Sequence, residues 1–225
     1  MKVKILHDWD LSYKQAALLQ NQLAGKVEFK PLKKCQLIAG LDCALSKDGQ
    51  RIVACAVVLK RYKDRFDVLE TKSAVRKTPM PYIPGLLSFR ESPACLAAVE
   101  KLKIDPDVFI VDGQGIAHPR RLGLAAHLGL FFNKPTIGCA KSRLTGTYRQ
   151  PPQQKGRFSL LKDNDEVIGA VVRTRDNVKP VFVSVGNKCL LADAIKIVLD
   201  CALKFRLPEP TRFAHSQVSK LRLAL

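Results

Sequence analysis

The chain is a succession of short apolar runs separated by polar turns, and the runs change character about a third of the way along. Residues 11–26 scatter Leu11, Ala16, Ala17, Leu18, Leu19 and Leu23 among polar side chains. That spacing predicts a helix, with Asp10 placed to cap it. The apolar runs 37–45 and 52–59 flank Lys47-Asp48-Gly49-Gln50. An Asp-Gly pair between two such runs predicts a hairpin, and a third run over 66–75 extends it into a meander.

Beyond residue 90 the pattern alternates. Glu91-Ser92-Pro93 precedes Cys95, Leu96, Ala98, Val99 and Leu102, a helical pattern with proline in its first turn. Val108-Phe109-Ile110-Val111 is wholly apolar, as a strand buried on both faces requires. A helix over 121–131, a strand over 136–138, strands over 167–173 and 181–185 and a helix over 190–204 follow. The stretch 149–156, with adjacent Pro151 and Pro152, reads as a surface loop, and the residues from Pro208 onward as a basic tail. The fold class expected is α/β, a mixed sheet in which an antiparallel meander is followed by parallel strands, flanked by helices. No internal repeat is present. A length of 225 residues fits a single domain spanning 1–225.

Charge narrows the possible partners. Lys and Arg outnumber Asp and Glu by 38 to 20, a formal charge of +18. Such a surface attracts polyanions, nucleic acid first, because neutralising phosphates releases condensed counterions; a basic surface kept for solubility is the plainer alternative. The seven cysteines stand singly, without the paired spacing of a zinc site, and read as buried hydrophobes in a reducing interior. No stretch reaches the roughly 18 apolar residues needed to span a bilayer, and the N-terminus lacks an apolar leader. The expectation is a cytoplasmic protein without membrane association, and a monomer, since no apolar heptad or sticky strand stands out.

Three carboxylates carry the candidate chemistry. Asp42 interrupts an apolar strand, where a lone carboxylate is costly to desolvate. Asp112 ends the run 108–111 and precedes Gly113-Gln114-Gly115, so its side chain emerges where the chain leaves the sheet. With Glu91 ahead of a helix, the three could converge on a hard cation such as Mg2+, which keeps positions open for water and a phosphate oxygen. Each also has an ordinary explanation, a strand-end aspartate or a charge favoured by a helix dipole. His118-Pro119-Arg120-Arg121 starts the expected 121–131 helix, where free N–H groups attract anions. Lys141 leaves the 136–138 strand as a point charge for a phosphate, or as a solvated lysine. His215 taken alone reads as a surface histidine and His127 as a structural one. Met80-Pro81-Tyr82-Ile83-Pro84-Gly85 is a stiff loop with an aromatic and a branched aliphatic at its tip, suited either to wedging between bases or to packing on its own core.

Read together, these segments resemble the endonuclease V family. The matching segments are Gly40-Leu41-Asp42; Pro81-Tyr82-Ile83-Pro84-Gly85 with Leu87-Ser88-Phe89-Arg90-Glu91; Asp112-Gly113-Gln114-Gly115 with Ala117-His118-Pro119-Arg120-Arg121 and Gly123; Pro135-Thr136-Ile137-Gly138 with Ala140-Lys141-Ser142-Arg143-Leu144; and Pro208-Glu209-Pro210-Thr211-Arg212. They run in family order over nearly the whole chain. The resemblance implies an RNase H-like fold, metal-binding carboxylates at Asp42, Glu91 and Asp112, a histidine near the metal at His215 and a phosphate-contacting lysine at Lys141. It also assigns substrate binding to Pro81, Tyr82, Ile83, Pro84, Gly85, Leu87 and Ser88, the first five as a strand-separating wedge. Gly113, Gly115 and Gly138 lie in segments lining a pocket for the extruded base, and His118 near the bound strand. Two positions depart from the pattern: Asn187 stands where many members have histidine, and Gln114 where others carry His or Asn.

The implied activity is Mg2+-dependent hydrolysis, with Mn2+ able to substitute, of the second phosphodiester bond 3′ to inosine in DNA, leaving a 3′-hydroxyl and a 5′-phosphate. An inosine-specific ribonuclease, a junction resolvase and a binding module without catalysis are the alternatives. The intact carboxylates and Lys141 count against the last, and the Pro-Tyr-Ile-Pro-Gly loop against the resolvase.

Overall fold

The computed structural model describes residues 1–33 and 35–224. Eight strands form one sheet: β1 (Leu37–Leu45), β2 (Arg51–Arg61), β3 (Phe66–Lys77), β4 (Val108–Val111), β5 (Thr136–Ala140), β6 (Phe158–Asp163), β7 (Glu166–Val172) and β8 (Val181–Asn187). Their order across the sheet is β3-β2-β1-β4-β5-β8-β7-β6. The meander β1-β2-β3 is antiparallel as expected, turning at Gly49 with φ 73°. Parallel pairing is confined to β1-β4-β5, because only there do helical crossovers bring the chain back to the same edge of the sheet. The last three strands return to antiparallel pairing, which narrows the expectation of parallel strands throughout that half. The sequence pattern also missed β6, an edge strand in which only Leu161 is buried.

Helices α1 (Tyr13–Ala24), α2 (Leu87–Glu100), α3 (Leu124–Phe132), α4 (Leu191–Cys201) and α5 (Glu209–Leu223) cover the sheet. Side chains alternate across each strand, so Ala39 and Leu41 of β1 pack with α2 and α3 while Ile38 faces α4. Likewise Val53, Cys55 and Val57 of β2 meet Ala214 and Val218 of α5. The sheet therefore lies between two helical layers, with α2 and α5 on opposite faces.

Three departures from expectation concern α1, α2 and α5. Ser12, not Asp10, caps α1, its hydroxyl accepting from Gln15 N while Gln15 Oε1 accepts from Ser12 N. The second helix begins at Leu87, so Pro93 lies inside it instead of in its first turn. The lost hydrogen bond is offset by burial of Ala94, Cys95, Leu96, Ala97, Ala98 and Val99 against the sheet. Third, the residues expected as a basic tail form α5, which docks on β1 and β2. No helix among the described residues is long and apolar enough to cross a membrane.

His127 of α3 is fully buried amid His7, Trp9, Phe89 and Phe131, and burial pushes its pKa down to about 3. The folded state thus refuses a proton that the unfolded chain accepts below its ordinary value, so this histidine contributes stability above about pH 6.5 that is lost toward pH 3. Replacement by glutamine removes that dependence. The stability gap between wild type and His127→Gln should narrow by about 2 kcal/mol between pH 7 and pH 5 in denaturant titrations. A gap that stays constant would mean that His127 is protonated in the fold.

Candidate metal centre

In the parallel register of β1 and β4, Leu41 lies beside Val111, and the next residues along are Asp42 and Asp112. Asp112 N donates to Leu41 O at 2.9 Å, carrying the ladder one step past the end of β4. Two neighbouring strands thereby deliver two carboxylates to the same level of the sheet. From the face that α5 covers, His215 brings Nδ1 to 2.8 Å from Asp42 Oδ2. One ligand atom from each of Asp42, Asp112 and His215 lies within 4.8 Å of the others.

The electrostatics of this trio are those of a cation site. Asp42 is 8% exposed, and burial first, then the charge of Asp112, raises its pKa, while His215 and Lys141 pull it down. Lys141, the residue after β5, sets Nζ 2.5 Å from Asp112 Oδ2. Two clustered carboxylates and an imidazole are the donor set of a small divalent cation, and the buried Asp42 carboxylate beside Asp112 fits one.

Glu91 stands outside that compact trio. It rides on α2, on the opposite face of the sheet from α5, and lies within the helix instead of ahead of it. Burial pushes its pKa up to about 7, opposed by a hydrogen bond from the Cys43 thiol; Asp42 and Asp112 push it further up. Cys43 alternates with Asp42 along β1, which is how one strand touches both.

Beside the centre lies a narrow cavity of about 60 Å³ whose walls include Tyr82, Leu87, Ser88, Gln114, His118 and Leu144. Tyr82 is 60% exposed at the tip of the proline loop. Ile83, expected at the tip with it, turns inward onto Leu86, Phe89 and Met80, and Pro81 and Pro84 are exposed without lining the cavity. The loop is tied down at Gly85, whose carbonyl accepts from His118 Nε2 at 3.1 Å and Arg120 Nη2 at 2.8 Å. Burial, then Arg120, pushes the His118 pKa down to about 4, keeping that donor neutral. Residues 118–121 form a turn, with Arg121 N donating to His118 O, and α3 starts only at Leu124. The expected anion seat at a helix start is therefore absent there, and Arg121 pairs with Asp163 and Glu166 instead.

Gly115 and Gly138 are required by close packing. A Cβ on Gly115 would meet Val185 O at 2.0 Å, and one on Gly138 would meet Gly115 N at 2.4 Å. They hold the Asp112–Gly115 turn against β5 and β8; at Gly113 a Cβ would meet Leu124 at 3.3 Å. Asn187 spans α3 and the 28–33 segment, its amide donating to Gly129 O and accepting from Glu28 N, so this departure from the family pattern is structural. Two residues absent from the expected site emerge in it. Arg120 braces the proline loop, and Gln114, noted in sequence only as a departure, lines the cavity. A lone polar side chain between two glycines was the available signal for the second.

The family model of Endonuclease V matches residues 21–216. The Endonuclease V of Methanothrix thermoacetophila is 48% identical over 215 residues, covering 96% of this chain and 94% of that one. The crystal structure of Endonuclease V from Bacillus subtilis superposes with a TM-score of 0.93 at 33% identity, covering 100% of this chain and 98% of that one. That of Ciona intestinalis Endonuclease V in complex with a 24mer DNA containing an inosine followed by a ribo-adenosine gives a TM-score of 0.77 at 30% identity, covering 92% and 96%. With family model, curated relative and fold in agreement over almost its whole length, the chain belongs to the Endonuclease V family.

Proposed function

We propose that the protein is a DNA repair endonuclease that hydrolyses the second phosphodiester bond 3′ to a deaminated base, hypoxanthine above all, leaving a 3′-hydroxyl and a 5′-phosphate. The observation that carries this reading is the meeting of Asp42, Asp112 and His215 within 4.8 Å where the parallel pairing of β1 and β4 ends beneath α5. A bound Mg2+ or Mn2+ would supply water activation and charge neutralisation on the scissile phosphate. Asp42 and Asp112 hold the cation. Glu91 completes the centre from the far face of the sheet, and His215 orients the attacking water or binds beside the carboxylates. Lys141, held in place by Asp112, offers its charge to a phosphate oxygen.

The adjoining cavity receives the base turned out of the stack, and exposed Tyr82 fills the gap it leaves. A base that pairs weakly is cheaper to extrude, which favours inosine over normal nucleotides. Support for the substrate class comes from the Ciona intestinalis relative, solved on inosine-containing DNA, and from the +18 charge of this chain.

Matched oligonucleotides with and without inosine, in DNA and in RNA, and a four-way junction, each incubated in Mg2+ or EDTA, test the reading. It requires a Mg2+-dependent nick confined to inosine-containing strands. Preference for the RNA strand would make the protein a ribonuclease, preference for the junction a resolvase, and no cutting a binding module. Lys141→Ala should lower single-turnover cutting about a hundredfold, the usual loss when one charge-stabilising donor is removed. An unchanged rate would exclude Lys141 from the chemistry.

A further inference from the structure

The cavity beside the metal centre contains a buried acceptor with nothing to accept. Gln114 is 8% exposed; its Nε2 donates to Ser142 O at 2.8 Å, and its Oε1 has no hydrogen-bond partner. A carbonyl only accepts, so the amide cannot be turned over without setting two oxygens against each other. Gln114 Oε1 is thus fixed as the free atom, and leaving it unpaired costs stability unless a ligand satisfies it.

A second acceptor in the same wall is assigned through a relay of ring tautomers. His7 Nδ1 lies 2.7 Å from Asp8 O, and because that carbonyl accepts, Nδ1 carries the proton. In the neutral ring, His7 Nε2 then accepts, and the donor 2.8 Å away is His127 Nε2–H. His127 Nδ1 is left bare, so it accepts from Ser88 Oγ at 3.1 Å. The Ser88 hydroxyl proton is committed to the protein, and what remains of its hydrogen-bonding capacity is lone pairs.

We propose that Gln114 Oε1 and Ser88 Oγ form an acceptor pair that selects bases bearing a ring N–H. Deamination of adenine or cytosine makes that feature: adenine N1 and cytosine N3 are acceptors, whereas hypoxanthine N1 and uracil N3 carry a proton; guanine N1 and thymine N3 carry one already, so the pair discriminates against adenine and cytosine. An unmodified adenine would set lone pair against lone pair in a water-poor cavity. Specificity built on a hydrogen-bonded N–H rejects the analogue lacking it strongly, because the buried acceptors are then stranded. His127 and His7 act through Ser88 as positioning residues. The inference rests on the proposed function, since it takes the cavity to be where the extruded base binds.

The test is binding, measured by fluorescence anisotropy in Ca2+, of single-stranded oligonucleotides that differ at one base: hypoxanthine, 1-methylhypoxanthine or adenine. The methyl derivative keeps the 6-oxygen and loses the N–H. Wild type should prefer hypoxanthine over both by about tenfold or more. Gln114→Ala, which also makes room for the methyl group, should bring the hypoxanthine to 1-methylhypoxanthine ratio close to one. Ser88→Ala should reduce the ratio without making that room. A purely structural role for either residue would weaken all three oligonucleotides alike, and that result overturns the proposal. So would a wild type that binds the three equally. 15N spectra of His127 should show Nδ1 bare and Nε2 protonated; the opposite tautomer removes Ser88 from the pair. Failure of cutting in Mg2+ with base discrimination intact would refute the catalytic reading while leaving the acceptor pair standing.

Discussion

Replacing Asp112 with alanine is expected to abolish Mg2+-dependent cutting of inosine-containing DNA, by at least about a thousandfold in single turnover, without unfolding the protein. Asp112 lies next to Asp42 where the parallel pairing of β1 and β4 ends, and its charge is one of the causes that raise the Asp42 pKa. Its removal relieves a repulsion between carboxylates, and Lys141, 40% exposed, loses an ion pair that water readily replaces. The melting temperature without metal should therefore hold or rise. Stabilisation of the wild type by added Mg2+ should vanish in the variant, because a ligand that binds only the folded state stabilises in proportion to its occupancy. Asp112→Ala that still nicks an inosine duplex in Mg2+ would remove this residue from the centre. Unchanged binding of the oligonucleotide would separate lost chemistry from lost recognition.

Elements with strong local signals were legible from sequence. The Asp48-Gly49 turn fixed the hairpin that carries Asp42, and the wholly apolar run 108–111 became β4, fully buried, with Asp112 at its exit. What escaped was set by tertiary packing. Helix α5 is polar overall and has Pro210 at its start, so it read as a tail; its narrow stripe of Ala214, Val218 and Leu221 suffices only because β2 supplies the other half of the contact. With α5 unseen, His215 looked like a surface histidine, and only the family resemblance put it near the metal. Pro93 pointed to a helix start because proline usually sits there, whereas burial against the sheet carries α2 through it. Glu91 was accordingly placed ahead of the helix it belongs to. The acceptor relay was invisible for a different reason: His7, Ser88 and His127 are separated by up to 120 residues and meet only in the folded core.

That dependence of the site on α5 makes Gly40 the second position of large effect. Gly40 lies on β1 two residues before Asp42 and on the same face, directly beneath the start of α5. A Cβ there would fall 1.9 Å from Pro210 O and 2.8 Å from Thr211 N, both backbone atoms that no rotamer change can clear. Gly40→Ala must therefore lift the helix from the strand or bend β1. Overpacking of a tight contact costs about 1–3 kcal/mol, which for a chain of this size lowers the melting temperature by roughly 3–10 °C. The functional loss should exceed that, because displacing α5 withdraws His215 from Asp42 while Asp112 and Lys141 stay in place. Cutting well below the melting transition should fall at least as far as in His215→Ala, and the two substitutions combined should cost little more than either alone, since both remove the same contact. Fully additive losses would show that Gly40 acts on the fold alone. A variant with wild-type stability and activity would mean that α5 does not rest on β1 as described.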